Sequence, residues 1–136
     1  MTAATIELQK AVFAALAGDG ALLAALGGPR IHDHAPANVP FPYVTFGRAT
    51  AYDWATATED GGEHLFTLHV WSRARGRSEA AAIMAAVRAR LHDADLALAG
   101  HVLVNLREES QEMRFDDGHG VHHGTMRFRA VTEPAA

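Results

Sequence analysis

The side chains with the clearest chemical potential in this sequence are histidines and carboxylates. Nine histidines stand among 136 residues, and there is no cysteine. His32 and His34 are two apart, so on a strand they would share a face, and His122 and His123 are adjacent. Imidazole is a common ligand for zinc, nickel or copper, which makes a small metal-dependent hydrolase using one of these four with an aspartate a rival reading. Against it, no HExxH motif occurs, and the histidines scatter along the chain with no assured carboxylate partner. Surface or interface histidines, with no native metal site, are therefore expected.

Asp53, Glu59, Asp60 and Glu63 could be paired carboxylates for acid–base work, which requires one pKa to be pushed away from the other. Their neighbours are Thr, Ala and Gly, and nothing in them predicts burial, so a solvated rim that meets another subunit is the better reading. Asp116-Asp117-Gly118 lacks the spaced ligand series of a calcium loop. No serine sits in a GxSxG elbow, and neither GxxxxGK[ST] nor GxGxxG occurs. No catalytic residue, cofactor-binding residue or cofactor is expected. Without cysteine, disulfides, thiolate nucleophiles and cysteine-ligated metals are excluded.

Arg73, Arg75 and Arg77 form one compact basic run just before a helix N-terminus, where the helix dipole does not favour positive charge. Such a placement calls for a partner, which acidic residues of a neighbouring subunit or a transient touch of DNA would supply; three solvated arginines on a turn are the plain alternative. Trp54 lies in a polar stretch, where a large exposed aromatic is often an interface anchor, while Trp71 ends a central strand and is expected in the core. The candidate subunit interface is thus Asp53, Trp54, Glu59 and Asp60 on one side and Arg73, Arg75 and Arg77 on the other.

The bulk numbers suit a single domain over 1–136. Apolar residues make up 49% and charged residues 21%, the balance of a globular chain able to bury a core. Alanine supplies much of the apolar count and buries little area, so contacts between copies could add stability. A net charge of -4 argues against a duplex-coating protein, because nonspecific DNA affinity comes from lysines and arginines. No stretch approaches the roughly 20 apolar residues that span a bilayer, so no membrane partner is expected.

Several elements must position these residues. Ile6, Val12, Phe13 and Leu16 recur at helical spacing between Thr5 and Ala17, and Asp19 can cap a short second helix that Gly27-Gly28-Pro29 ends. Arg30 to His34 predicts a short strand, and Tyr43 to Phe46 favours another. Ala49 to Gly62 reads as a long loop or a projecting hairpin. From Glu63 to Ser72 apolar groups fall on both faces of a strand, which implies a central position. Ser78 is the expected N-cap of the most regular helix, in which Ala80, Ile83, Met84, Val87 and Leu91 repeat on one face. His101 to Leu106 alternates as a strand, Glu108 to Arg114 is strand-compatible, and Thr125 to Ala130 forms the last strand. These last segments predict a long antiparallel hairpin whose polar tip leaves the body of the domain. The fold class is α+β: a mostly antiparallel sheet of about four to five strands with two or three helices packed on one face.

A string of residues carries a resemblance. Leu8-Gln9-x-Ala11-Val12, Arg30-Ile31-x-Asp33-His34, Pro42-Tyr43-Val44-Thr45, Asp53-Trp54, Thr58-Glu59-Asp60-Gly61, Leu68-His69-Val70-Trp71-Ser72-Arg73 and Phe128-Arg129, in that order and spacing, resemble the tail-completion or tail-terminator proteins of siphophages and bacterial gene transfer agents. The resemblance covers nearly the whole chain. It implies a homo-hexameric ring at the head-proximal end of a tail tube, which ends tube polymerisation and joins the tail to the head connector while double-stranded DNA passes through the channel unbound. The implied partners are further copies of the chain, the tail tube protein and a head-side stopper or connector protein. The implied location is the bacterial cytoplasm during assembly and then the phage-like particle. The family has no catalytic residues to carry over. A stand-alone α+β ligand-binding domain is the remaining rival.

Overall fold

The computed structural model describes residues 3–53 and 61–135. Two helices open the chain, α1 (Ala3–Ala17) and α2 (Gly20–Leu26). They are followed by strands β1 (Ile31–His32), β2 (Tyr43–Asp53) and β3 (Gly62–Ser72), helix α3 (Ser78–Leu91), and strands β4 (Ala97–Leu98), β5 (His101–Asp116) and β6 (Val121–Pro134). The strands form one sheet in the order β1-β2-β3-β6-β5-β4, antiparallel at every pairing except β1 with β2.

The architecture is the expected α+β class, with six strands in place of four or five. The pattern from Ala97 to Leu98 was too short to read, because two residues cannot establish an alternation. Strand β2 also continues to Asp53, paired with β3 as far as Gly62, so of the two readings of this stretch, loop or hairpin, its first residues follow the hairpin. A register shift between Phe46 and Ala49 breaks the alternation there, so the period-2 signal fades where the strand goes on.

Alternation along β3 and β6 sets the core. Phe66, Leu68 and Val70 of β3 and Met126, Phe128 and Ala130 of β6 point to the helix side and are all buried. The helices meet them with Leu8, Val12 and Leu16 of α1 and Ile83, Met84, Val87 and Leu91 of α3. Gly124 lets α3 come close, since a Cβ there would lie 2.6 Å from the Met84 Sδ. On α1 the buried stripe is Leu8, Val12, Ala15 and Leu16, whereas Ile6 and Phe13, counted in the expected pattern, face outward and are 42% exposed. An alanine-rich helix offers several nearly equivalent apolar stripes, so periodicity alone does not select one.

Helix ends follow local chemistry. Asp19 caps α2 as expected, its Oδ1 accepting from the Leu22 N–H at 2.9 Å, and Gly27 ends the helix with φ 78. Ser78 is not the cap of α3 but its first residue; Arg77 occupies the cap position and makes no side-chain cap bond. The Ser72 hydroxyl donates to the Glu79 carboxylate at 2.7 Å and accepts from the Ala74 N–H at 3.1 Å, tying β3 to the first turn of α3. At the other end of α3, Arg88 pairs at 3.1 Å with Glu108 of β5, and the His92 Nδ1 accepts the Glu108 N–H at 3.0 Å.

The β5–β6 hairpin forms, and its turn is built from Asp116, whose Oδ1 accepts from the Gly118 N–H at 3.0 Å, and from Gly120 with φ 65. Its tip does not leave the body. Asp116 pairs with Val121 one step beyond the Ser72–His122 pair, so the hairpin and β3 end almost level.

Candidate assembly surface

The helices cover one face of the sheet and leave the other open. On the open face stand Tyr43, Thr45 and Tyr52 of β2, Glu63, Leu65, Thr67, His69 and Trp71 of β3, and His123, Thr125, Arg127 and Arg129 of β6, placed there by the pairing register. Glu63 and Arg129 form an ion pair across the two central strands. Glu63 is therefore matched by a cation.

Near the Ser72 end of this face an aromatic series crosses three strands. Phe41 lies 4.9 Å from Tyr43, Tyr43 stacks on Trp71 at 6.1 Å, and Trp71 stacks on His123 at 4.0 Å with an interplanar angle of 9°. His69 Nδ1 and His123 Nε2 approach to 2.7 Å, so one imidazole donates its N–H and the other accepts. The Arg73 guanidinium sits over the Phe41 ring at 4.3 Å. Together with Arg114, Phe115, Asp116, His119 and Val121, these rings line an open cleft of about 660 Å³. Trp71 is thus half-buried on the open face and not in the core; its indole N–H donates to the Thr45 hydroxyl at 3.0 Å.

The expected interface residues fall at the two ends of β3. Asp53, exposed, is the last residue of β2 and pairs with Gly62 at the start of β3. Arg73, Arg75 and Arg77 are exposed on the turn after Ser72, at the far end. Ten strand steps, about 33 Å, separate the two groups. Trp54, Glu59 and Asp60 lie outside the described residues.

The histidine pairs do not act as pairs. His32 ends β1 and His34 follows it in a bend, and neighbouring His122 and His123 project to opposite faces of β6. Among the described residues no group of three or more His, Cys, Asp or Glu side chains is placed to hold a metal ion. The structure instead joins His69 with His123 across β3 and β6, a contact between residues 54 apart that requires the register. On the helix side, His64 is buried between α1 and β6, with Thr132 Oγ1 at 2.9 Å from its Nε2 and Thr5 Oγ1 at 3.4 Å from its Nδ1.

Burial lowers the pKa of all three, with His101 adding to the shift at His64, Arg127 at His69, and His69 and Arg114 at His123. The folded state thus keeps these imidazoles neutral where the unfolded chain, near 6.5, takes up protons. Their contribution is intact above that value and is lost as pH falls below it. Thermal unfolding followed from about pH 8 to about pH 5 is expected to give a melting temperature that falls on the acid side, and His69→Phe should flatten the slope. A melting temperature that rises on acidification contradicts this account.

Both flanks of the sheet carry free strand edge, because β1 and β4 are two residues long and cover only the ends of β2 and β5. Along the free part of β5 lie Glu109, Glu112, Arg114 and Asp116, all exposed, after a register shift between Glu108 and Ser110. Charges and irregularities of this kind blunt an edge against indiscriminate strand pairing.

Comparisons with known proteins agree with this geometry. Residues 10–133 match the model of the family described as "Tail completion protein gp17". No curated protein sequence matches the chain. Among solved structures, a chain of the "Virion of native gene transfer agent (GTA) particle" is similar with 31% identity and a TM-score of 0.88, over 98% of this chain and 99% of that one. A match that runs from within α1 to the end region of β6, and takes in the aromatic cleft, places this chain in the tail completion protein gp17 family.

Proposed function

We propose that this protein is a structural subunit of a phage-like particle, where it assembles into a six-membered ring at the head-proximal end of the tail tube. In this reading the ring ends tube polymerisation and meets a head-side connector, DNA passes through its channel without specific binding, and the chain has no bond-making centre. The observation that carries the reading is the family match along nearly the entire domain, and the likeness to a chain of a gene transfer agent virion supports it.

The charge layout fits a ring. A rotational ring joins one patch of each protomer to a different patch on the next. The acidic end, with Asp53, Glu59, Asp60 and the neighbouring Trp54, and the basic end, with Arg73, Arg75 and Arg77, are two such patches. Asp53 stands about 33 Å along β3 from the basic turn, so the two ends can serve two different neighbours. The net charge of -4 suits a channel that DNA slides through.

The experiment adds purified protein to polymerising tube protein and images the products. Rings seated on one end of shortened tubes are expected; tubes of unchanged length with bare ends would refute the reading.

A further inference from the structure

We propose that the aromatic cleft at the Ser72 end of the open sheet face is a receptor for the acidic β2–β3 segment, residues 53–60, of a second copy of this chain. The proposal rests on the ring reading and gives its subunit contact a definite seat.

Two observations support the cleft. First, its floor is a preorganised series of rings, Tyr43, Trp71 and His123, held in cross-strand register and fixed by the Trp71 bond to Thr45. Rigid aromatic rings beside arginine are the surfaces that dominate binding energy at protein interfaces. Second, Arg73 and Arg114 line it, and Arg75 and Arg77 follow on the adjoining turn. Guanidinium groups there would meet carboxylates in charge-assisted, bidentate hydrogen bonds.

The charge of the occupant points to residues 53–60, which carry Asp53, Glu59 and Asp60 with no Lys or Arg, and include the aromatic Trp54. The same copy cannot supply them. Asp53 and Gly62 are cross-strand partners, so the nine chain steps between them can extend no more than about 16 Å from that end. The cleft lies about 33 Å away along β3. Only another copy can deliver the segment, and a contact that joins opposite ends of successive protomers is heterologous, as ring closure requires.

The absence of cysteine permits a direct test. Asp60→Cys and Arg114→Cys are introduced together, Arg114 standing beside His123 on the open face, rings are assembled with tube protein, and the sample is mildly oxidised and run under denaturing, nonreducing conditions. The expected result is a ladder of covalent multimers rising to the size of the ring, whereas each single-cysteine variant runs as monomer. A second pair, Glu59→Cys with His119→Cys, repeats the test at the β5–β6 turn, which also lines the cleft. Rings visible by electron microscopy without a ladder from either pair would overturn the cleft proposal and leave the ring reading intact. Failure of the unsubstituted protein to form rings on tube ends would overturn both.

Discussion

Replacing Phe128 by alanine is expected to lower the unfolding free energy by about 3–5 kcal/mol, the range for removing a large aromatic side chain from a packed interior. Phe128 is fully buried in the middle of β6, which is bonded on both sides, and it stacks on Phe66 at 5.3 Å with an interplanar angle of 11°. The loss has two parts, the transfer energy of the ring and the cavity left because strands held on both edges cannot close in. A domain of this size is commonly stable by only about 5–15 kcal/mol, so the variant should be partly unfolded at moderate temperature. Phe128→Leu, which keeps most of the volume, should cost less than half as much. Urea unfolding measures both. A loss below about 1 kcal/mol for the alanine variant would mean that the core is not centred on this strand.

The second large effect concerns assembly. Reversing Arg75 and Arg77 to glutamate is expected to reduce ring formation by on the order of tenfold or more per interface while leaving the fold intact, since both side chains are exposed on a turn. Each exposed ion pair is weak alone, but two reversed charges repel where two attracted, and the penalty recurs at every contact of a closed ring. Glu59→Lys with Asp60→Lys should impair assembly in the same way. Combining all four substitutions in one chain should restore it, because each interface regains opposite charges. Ring yield by sedimentation checks the series. Normal assembly of the doubly reversed Arg75 and Arg77 variant, or no recovery in the combined chain, would remove these patches from the interface.

The sequence made much of the fold legible, for reasons that also explain its gaps. Helix α3 was readable because Ile83, Met84, Val87 and Leu91 share one stripe against polar neighbours, and all are buried. Strand β3 was readable as central because both its faces carry large side chains, and it does pair on both edges. Strand β4 was not, being two residues long. Ser78 matches the chemistry of an N-cap, yet the helix begins on it and Arg77 holds the cap position.

The candidate site was legible only in outline. The charged runs were visible as charge, and the described members do lie at the surface, at opposite ends of β3. What escaped was the cleft between Tyr43, Trp71 and His123, because it depends on which residue of β3 faces which residue of β6. A register slip of one residue would send His123 to the helix side, so no local pattern reports the contact. The odd-numbered parity of His69, Trp71 and His123 on two alternating strands was the available signal, and it acquires meaning only once Trp71 is paired with His123.

In the proposed role this chain closes the end of a growing tube. The most direct measurement is the distribution of tail lengths, by electron microscopy, in particles produced without this protein. Overlong tails of irregular length, detached from heads, are expected, and supplying the intact protein should restore uniform, joined tails. Tails of normal length attached to filled heads would contradict the claim.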